Sequence, residues 1–157
     1  MSLQVFQDPP EEKLGDLRLV RLWQYWNELS STGRLPSRAQ IDPAQITPVL
    51  PWTLLIDVAA EDGFRYRLVG TRIVQDMGYD MTGQLVSRAY GGPDWPDIER
   101  DYNWVIDQKR PCLTRNSVIL PATGLAYSYL RLLLPLAADG TNVDMLVGAA
   151  IAENDRN

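Results

Sequence analysis

The chain has 157 residues and is acidic, with a formal net charge of −5 at pH 7 and a pI of about 4.7. Its length allows one well-buried core, and its 45% hydrophobic and 22% charged residues are typical of a globular domain. The acidic balance offers no basic surface to nucleic acid or an anionic membrane, so we expect neither as a partner. No apolar run approaches the roughly 18 residues that a bilayer-spanning helix requires.

Histidine is absent from the sequence, and Cys112 is the single cysteine. The absence of histidine excludes Ser/His and Cys/His catalytic pairs, imidazole metal sites and haem held through a proximal histidine. A single cysteine excludes an internal disulfide and fits a reducing compartment. The N-terminus lacks a basic segment followed by an apolar run, so we expect no signal peptide. Together these features predict a cytoplasmic, non-enzymatic protein without a metal site.

The N-terminal region divides into two parts. Residues 1–13 show no periodicity, and we expect them to form a mobile arm. Residues 14–31 carry apolar positions at helical spacing, which predicts an amphipathic helix. One stripe of this helix consists of Leu19, Leu22, Trp23, Trp26 and Leu29. Additional apolar residues widen the stripe beyond what one core contact needs, so we expect it to form a dimer interface as well.

A hairpin is predicted in the middle of the chain. Asp42 is expected to cap the start of a short helix that precedes the hairpin. Residues 52–58 and 64–69 have the alternation of two strands, and Glu61-Asp62-Gly63 between them is a tight-turn signal. One face of the second strand is expected to carry Phe64, Tyr66 and Leu68.

The remaining elements complete an α+β pattern. Thr71 is expected to cap a short helix that Gly78 ends, and residues 94–109 predict a longer helix. Three further strands are predicted over residues 112–120, 126–136 and 143–152. This order favours one five-stranded antiparallel sheet with helices on one face, within a single domain of residues 14–152. Residues 153–157 are expected to form a C-terminal tail.

The element order resembles that of the PAS domain, and several short stretches strengthen the resemblance. They are Trp23-Gln24-Tyr25-Trp26, Gly33-Arg34-Leu35-Pro36-Ser37-Arg38, Ile41-Asp42-Pro43, Tyr66-Arg67-Leu68-Val69-Gly70-Thr71 and Thr82-Gly83. They are similar to a bacterial PAS subfamily of short, often stand-alone proteins, over roughly residues 17–152. The resemblance implies a sheet and helices that can enclose a small ligand, a signalling role, and dimerisation through the N-terminal helix. It implies no particular ligand.

The resemblance does not identify a cofactor. The residues of this chain exclude two cofactor types that occur in PAS domains. A flavin photosensor of the cysteine type needs a reactive cysteine in an Asn-Cys-Arg type segment on a middle helix. Cys112 instead lies in Arg110-Pro111-Cys112-Leu113-Thr114, at the start of a predicted strand. Haem sensors of the histidine type are excluded by composition.

A ligand pocket is expected between the inner sheet face and the middle helices. Its candidate lining residues are Tyr66, Leu68, Met77, Tyr79, Met81, Trp104 and Tyr129. The space is expected either to be an open cavity or to be filled by these side chains.

Arginines form a second candidate site. The guanidinium groups of Arg34, Arg38, Arg65, Arg67 and Arg72 would suit a bound anion. The favoured alternative is that they pair with Asp42, Asp57 and Asp76 and fix loop geometry.

Three functions follow from the sequence. The first is a dimeric sensory or regulatory PAS module that binds a small ligand, a protein partner, or both. The second is a protein-interaction module with a filled core. The third, which is disfavoured, is a small enzyme with an aspartate base and a tyrosine donor.

Overall fold

A computed structural model describes residues 2–59, 61, 63–89, 94–120 and 123–155. The chain forms one antiparallel sheet with the strand order β1-β4-β5-β6-β2-β3. The strands are β1 (Ser2–Gln7), β2 (Thr53–Ala59), β3 (Gly63–Val69), β4 (Cys112–Ile119), β5 (Ala126–Leu136) and β6 (Met145–Ala152). The predicted α+β class and antiparallel sheet are confirmed.

In the part of the chain that the structure describes, four α-helices and several 3₁₀ segments accompany the sheet. The α-helices are α1 (Leu17–Leu29), α2 (Thr71–Met77), α3 (Val86–Ala89) and α4 (Trp95–Gln108). The 3₁₀ segments are Glu11–Lys13, Arg38–Gln40, Pro43–Trp52 and Glu153–Asp155. None of the helices in the described ranges is long and apolar enough to cross a membrane.

Both faces of the sheet are covered by helical elements. Strand β5 explains this arrangement. Its buried side chains point alternately to the two faces of the sheet, so both faces are apolar and need to be covered. Tyr129 and Leu133 lie on the face that packs against α2, α3 and α4, which we call the inner face. Leu130, Leu132 and Leu134 lie on the opposite, outer face, which packs against α1 and the 3₁₀ segment Pro43–Trp52. The sheet therefore has two separate hydrophobic cores, one on each face.

The sheet has six strands rather than the five that were predicted. The additional strand is β1, which lies within the segment expected to be a mobile arm and pairs antiparallel with β4. The hydrogen bond from the Asp8 amide to the Pro111 carbonyl, 2.8 Å long, continues this pairing beyond the strand. Leu3 and Val5 are exposed, so the strand buries little apolar surface and shows no clear period-2 core pattern. Main-chain pairing holds this strand in place.

A bulge in β3 changes which side chains face the core. The register of β2 and β3 shifts between the pairs Leu55–Leu68 and Ile56–Tyr66, so one extra residue lies on β3 at this point. The expected alternation of Phe64, Tyr66 and Leu68 is therefore wrong at its third position. Leu68 is 41% exposed, while Val69 takes the buried position.

Two of the predicted helix ends are confirmed and one is corrected. Asp42 accepts a hydrogen bond from the Ala44 amide at 3.0 Å, and Gly78 ends α2 with a φ of 85°. Thr71 is the first residue of α2 and does not cap it, because Gly70 occupies the N-cap position. In the predicted hairpin turn, Asp62 lies outside the described residues.

Gly70 is required by close backbone contact. A Cβ atom at this position would lie 2.6 Å from the carbonyl carbon of Pro51 and 2.9 Å from the carbonyl oxygen of Leu50. Real Cβ atoms do not approach backbone this closely, so a side chain at residue 70 would push β3 away from the 3₁₀ segment.

We predict that Gly70→Ala lowers the free energy of unfolding by about 3 kcal/mol, since neither backbone can yield without strain. Urea denaturation measures the loss. Gly124→Ala is the control, because that position has a φ of 70° and open space around it. It is expected to cost about 1 kcal/mol for the left-handed backbone alone. Equal losses for the two variants would contradict the steric explanation.

Candidate functional site

The predicted pocket residues meet on the inner face, with one exception. Tyr66, Met77, Met81 and Tyr129 are buried members of its core, and Tyr79 and Trp104 are partly buried against it. Leu68 is not among them, because the β3 bulge turns it away. These side chains come from β3, α2, the segment after α2, α4 and β5.

A buried ion pair lies at the centre of the inner face. Arg131 on β5 and Asp101 on α4 approach to 3.5 Å between Nη2 and Oδ2, and their side chains are only 2% and 3% exposed. Arg131 faces inward because it alternates with the outward Leu130 and Leu132. The Asp101 carboxylate reaches the sheet from the buried side of α4, next to Tyr102.

Tyr102 contacts this ion pair, and Tyr66 and Tyr129 interact with Tyr102. The guanidinium carbon of Arg131 lies 5.0 Å from the centroid of the Tyr102 ring, a cation–π distance. The Tyr102 ring also contacts Phe64 edge-on, with centroids 4.9 Å apart. Burial raises the pKa of Tyr102 to about 12, although the Arg131 charge and a hydrogen bond with Tyr66 oppose the increase. We call Tyr66, Asp101, Tyr102, Tyr129 and Arg131 the inner polar cluster.

The neighbouring strand β4 adds further polar atoms to the inner face. The Asn116 amide donates a 2.8 Å hydrogen bond to the Thr114 hydroxyl, and both residues are buried. Cys112 packs beside them with its thiol shielded from water. Burial, followed by the Asp101 charge, raises the pKa of Cys112 to about 12, so the thiol is protonated at neutral pH and a poor nucleophile.

Patterns in the sequence did not point to Arg131 and Asp101 as an ion pair. Both are charged residues at positions whose neighbours are apolar and buried: Arg131 interrupts the apolar run of residues 129–134, and Asp101 precedes Tyr102 on α4. A charge at a core position is expensive without a partner, so an isolated charge in an apolar strand was the available signal. Its partner could not be found from sequence alone, because the two residues are 30 positions apart.

The predicted dimer stripe on α1 is mostly buried in the protein's own outer core. Leu19, Leu22 and Trp26 are buried against the outer face, and the Trp26 indole donates a 2.9 Å hydrogen bond to the Pro135 carbonyl. Trp23 and Leu29 are partly buried against the same core. The core role of the stripe is therefore observed, because α1 covers the second apolar face of the sheet, and its role as a dimer interface stays a prediction.

Some of the predicted arginine pairs are present. Arg67 pairs with Asp57 at 2.8 Å, and Arg72 pairs with Asp76 at 3.5 Å one helical turn along α2. The interpretation that arginines fix local geometry is confirmed for these two.

A further arginine, Arg18, joins both ends of the domain. Its guanidinium forms two hydrogen bonds with the Asp16 carboxylate and stacks 4.2 Å from the centroid of the Trp52 ring. It also donates to the carbonyl of Asp155, whose carboxylate accepts a 3.0 Å bond from the Trp52 indole. The Asp16 hydrogen bond raises the pKa of Arg18 further above its ordinary value, so this group stays charged.

Sequence comparison identifies the family to which this α+β fold belongs. A sequence model of the PAS domain matches residues 17–151. The chain therefore belongs to the PAS domain family, as the sequence resemblance implied. No curated protein sequence matches the chain.

Solved structures with a similar fold include several light-oxygen-voltage (LOV) proteins. An RNA-binding LOV receptor is 16% identical, with a TM-score of 0.54 over 74% of this chain and 35% of the receptor. The LOV protein of Rhodobacter sphaeroides is 13% identical, with a TM-score of 0.56 over 72% of this chain and 69% of that protein. A fungal LOV photoreceptor domain is 17% identical, with a TM-score of 0.52 over 80% and 88% of the two chains. The match thus spans about a third of the RNA-binding receptor, and these identities establish the fold alone.

A flavin of the cysteine-reactive type does not fit this inner face. Cys112 lies on a strand rather than on a middle helix, and its thiol is buried and protonated. The side chains of Tyr66, Tyr102 and Tyr129 are fully buried within the inner core. Cys112 is the first residue of β4, which is the position that the sequence predicted for it.

We predict that breaking the ion pair is more harmful than replacing it. Arg131→Met removes the buried cation that faces the Asp101 carboxylate, while the largely exposed Arg100 lies 3.9 Å from it, and is expected to lower the free energy of unfolding by about 3 kcal/mol. The double variant Arg131→Met/Asp101→Leu removes both charges and is expected to recover most of that loss. Chemical denaturation measures both variants. A double variant as unstable as the single one would contradict this account.

Proposed function

We propose that this protein is a non-enzymatic sensory or regulatory PAS module that binds a small molecule at the inner polar cluster. The observation that carries the proposal is the Arg131–Asp101 pair, buried between sheet and helix and in contact with Tyr102. Pockets that bind small molecules combine apolar walls with a few polar groups that fix orientation, and this cluster has that composition.

Stability alone gives no reason to keep this ion pair. Removing two charges from water costs several kcal/mol per ion, and well-packed apolar residues of similar volume are often equally stable. A chain that retains the pair in its core gains something other than stability from it. Recognition of a polar ligand is such a gain.

Arg131 indicates the chemistry of the ligand. Its planar guanidinium presents hydrogen-bond donors in a fixed fork that matches a carboxylate. In the structure this fork faces Asp101 at 3.5 Å, which is longer than a well-formed charged hydrogen bond. We therefore propose a small carboxylate that takes the place of Asp101 on Arg131.

Binding of such a ligand requires movement of the helices. Tyr66, Tyr102 and Tyr129 are each 0–1% exposed, so the cluster is closed in this conformation. A ligand that binds an opened form would shift the population toward it and displace α4 from β5. A protein partner that contacts α4 would detect this change.

The closed inner face also favours a second function. If the side chains fill the space permanently, the protein is an interaction module whose surface carries its function. A small acid/base enzyme is less well supported, because the buried Asp101 is paired with a guanidinium rather than positioned as a free base.

The proposal includes a bacterial cytoplasmic location and a homodimer. The dimer contact would use the outward side of α1, where Leu17 is 76% exposed and Trp23 is partly exposed. Exposed apolar groups on one helix are the type of surface that a second copy covers.

The ligand proposal predicts that carboxylates stabilise the folded protein by mass action. Succinate, pyruvate and benzoate are titrated against the wild-type chain, and at least one is expected to raise the melting temperature by several degrees. The folded double variant Arg131→Met/Asp101→Leu is expected to lose this response, whereas Arg110→Met, which removes an exposed arginine, keeps it. The ligand proposal fails if no carboxylate shifts the wild-type melting temperature and native mass spectrometry detects no bound small molecule.

The dimer proposal predicts a particle of twice the 17.7 kDa chain mass in light scattering. Leu17→Glu is expected to yield the monomer, because it places a charge in the contact. Asn103→Glu adds the same charge on an exposed position of α4 and is expected to stay dimeric. A monomeric wild-type protein, or a Leu17→Glu dimer, would argue against this contact.

A further inference from the structure

A second cleft lies outside the inner polar cluster, where the ends of α1 and α4 meet the turn between β5 and β6. Its volume is about 380 Å³, within the roughly 300–1,000 Å³ range of small-molecule sites. Trp26 and Leu35 contribute apolar surface to its walls, and Ser30 and Thr141 contribute hydroxyl groups. The cleft therefore combines apolar walls with polar groups that can orient a ligand.

The charge of this cleft is opposite to that of the chain as a whole. Arg34, Lys109 and Arg110 line it, and none of the described lining residues is an aspartate or a glutamate, although the chain carries a net charge of −5. Arg110 is neutralised by Asp8, at 2.7 Å. Among the residues that the structure describes, neither Arg34 nor Lys109 forms an ion pair. Two positive charges are therefore available to a bound anion.

The β5–β6 turn holds Arg34 in a fixed orientation. The guanidinium donates a hydrogen bond to the Asp139 carbonyl, and the neighbouring Leu35 amide donates a 2.9 Å bond to the Gly140 carbonyl. A Cβ atom at Gly140 would lie 2.5–2.7 Å from Nη2, Cζ and Nε of Arg34, so the guanidinium lies flat across this glycine. Its plane is thus set before a ligand binds, which lowers the entropy cost of binding.

The carboxylate on this turn, that of Asp139, is engaged by the turn itself. It accepts hydrogen bonds from the amides of Asn142 at 2.7 Å and Thr141 at 2.8 Å, and from the Asn142 side chain at 2.8 Å. These bonds, led by that from the Asn142 amide, lower the pKa of Asp139 to about 2. Because the donors of its own turn stabilise this negative charge, the Arg34 guanidinium contacts only the carbonyl of Asp139.

Lys109 occupies a backbone position that glycine would adopt at lower cost. It follows α4 with a φ of 56°, in the left-handed region, whereas the corresponding position after α2 is Gly78 with a φ of 85°. The chain therefore retains a lysine where its backbone favours glycine. This lysine is half-buried and lines the cleft, so a function of its charged side chain there explains the choice.

From these observations we propose that the cleft between α1, α4 and the β5–β6 turn binds a small phosphate monoester. The phosphate group carries a charge of about −1.5 to −2 at neutral pH, which matches the two available cations. Arg34 and Lys109 donate charge-assisted hydrogen bonds to its oxygens, and the organic part covers Trp26 and Leu35. This site is independent of the carboxylate site proposed at Arg131.

The test is a ¹H–¹⁵N NMR titration of the full chain with phenyl phosphate at neutral pH. Saturable shifts are expected at the amides of residues 33–35, 109–110 and 140–141, which border the cleft. Phenylacetate has the same ring and a single negative charge, and is expected to bind about fivefold more weakly or less. Absence of saturable shifts with phenyl phosphate overturns the site, and equal affinity for phenylacetate overturns the assignment of a phosphate.

Variants localise the binding to the two cations. Arg34→Met is expected to weaken phenyl phosphate binding by about tenfold or more, since a charge-assisted hydrogen bond is lost. Arg88→Met removes the same charge from an exposed position on α3, away from the cleft, and is expected to change the affinity by less than about twofold. Unchanged affinity in a folded Arg34→Met protein overturns the proposal.

A second variant covers the case in which Arg34→Met does not fold. Lys109→Gly removes the other cation and suits the left-handed backbone, so it is expected to fold at least as stably as the wild type. Its affinity for phenyl phosphate is expected to fall severalfold, and an unchanged affinity would overturn the role of Lys109. The folded Arg131→Met/Asp101→Leu variant is expected to bind phenyl phosphate as the wild type does. Loss of binding in that variant would place the phosphate at Arg131 and overturn this site, so the two sites can fail separately.

Discussion

Burial of the sheet on both of its faces is the constraint on which the rest of this structure depends. Strand β5 carries leucines on the outer face. Exposure of this apolar surface to water is unfavourable, so other elements of the chain must cover it. Helix α1 and the 3₁₀ segment Pro43–Trp52 meet that need, while α2, α3 and α4 cover the inner face. As a result, the outer core is mainly apolar, with Arg18 and Asp16 buried beside it, whereas the inner core contains the buried Asp101–Arg131 pair.

The sequence predicted elements well where the relevant pattern is local. Strand β5 and helix α4 follow from periodicity and from the proline and glycine residues that border them, and their observed bounds agree closely with the prediction. Most of the expected pocket residues also meet on the inner face, because a strand face and a helix stripe are each determined by spacing along the chain.

Features that depend on contacts between distant segments could not be predicted from the sequence. Strand β1 has no core pattern of its own and exists because β4 offers it a partner. The bulge that exposes Leu68 is a property of the β2–β3 register, not of either strand. The stripe on α1 was recognised as apolar, but spacing along one helix does not reveal whether a sheet or another subunit covers it. The pairing of Arg131 with Asp101 was missed for the same reason, since it joins residues 30 positions apart.

The contact between Arg18 and Asp155 has a kinetic consequence. These residues are 137 positions apart, so the contact closes nearly the whole chain into a loop. Closing a loop of that length costs more entropy than local pairing and is rewarded only after the sheet between its ends is in place. Interactions that form late in folding affect the unfolding rate more than the folding rate. The Arg18 contacts are therefore expected to slow unfolding more than they accelerate folding. They contribute more to the lifetime of the native state than to the speed at which it forms.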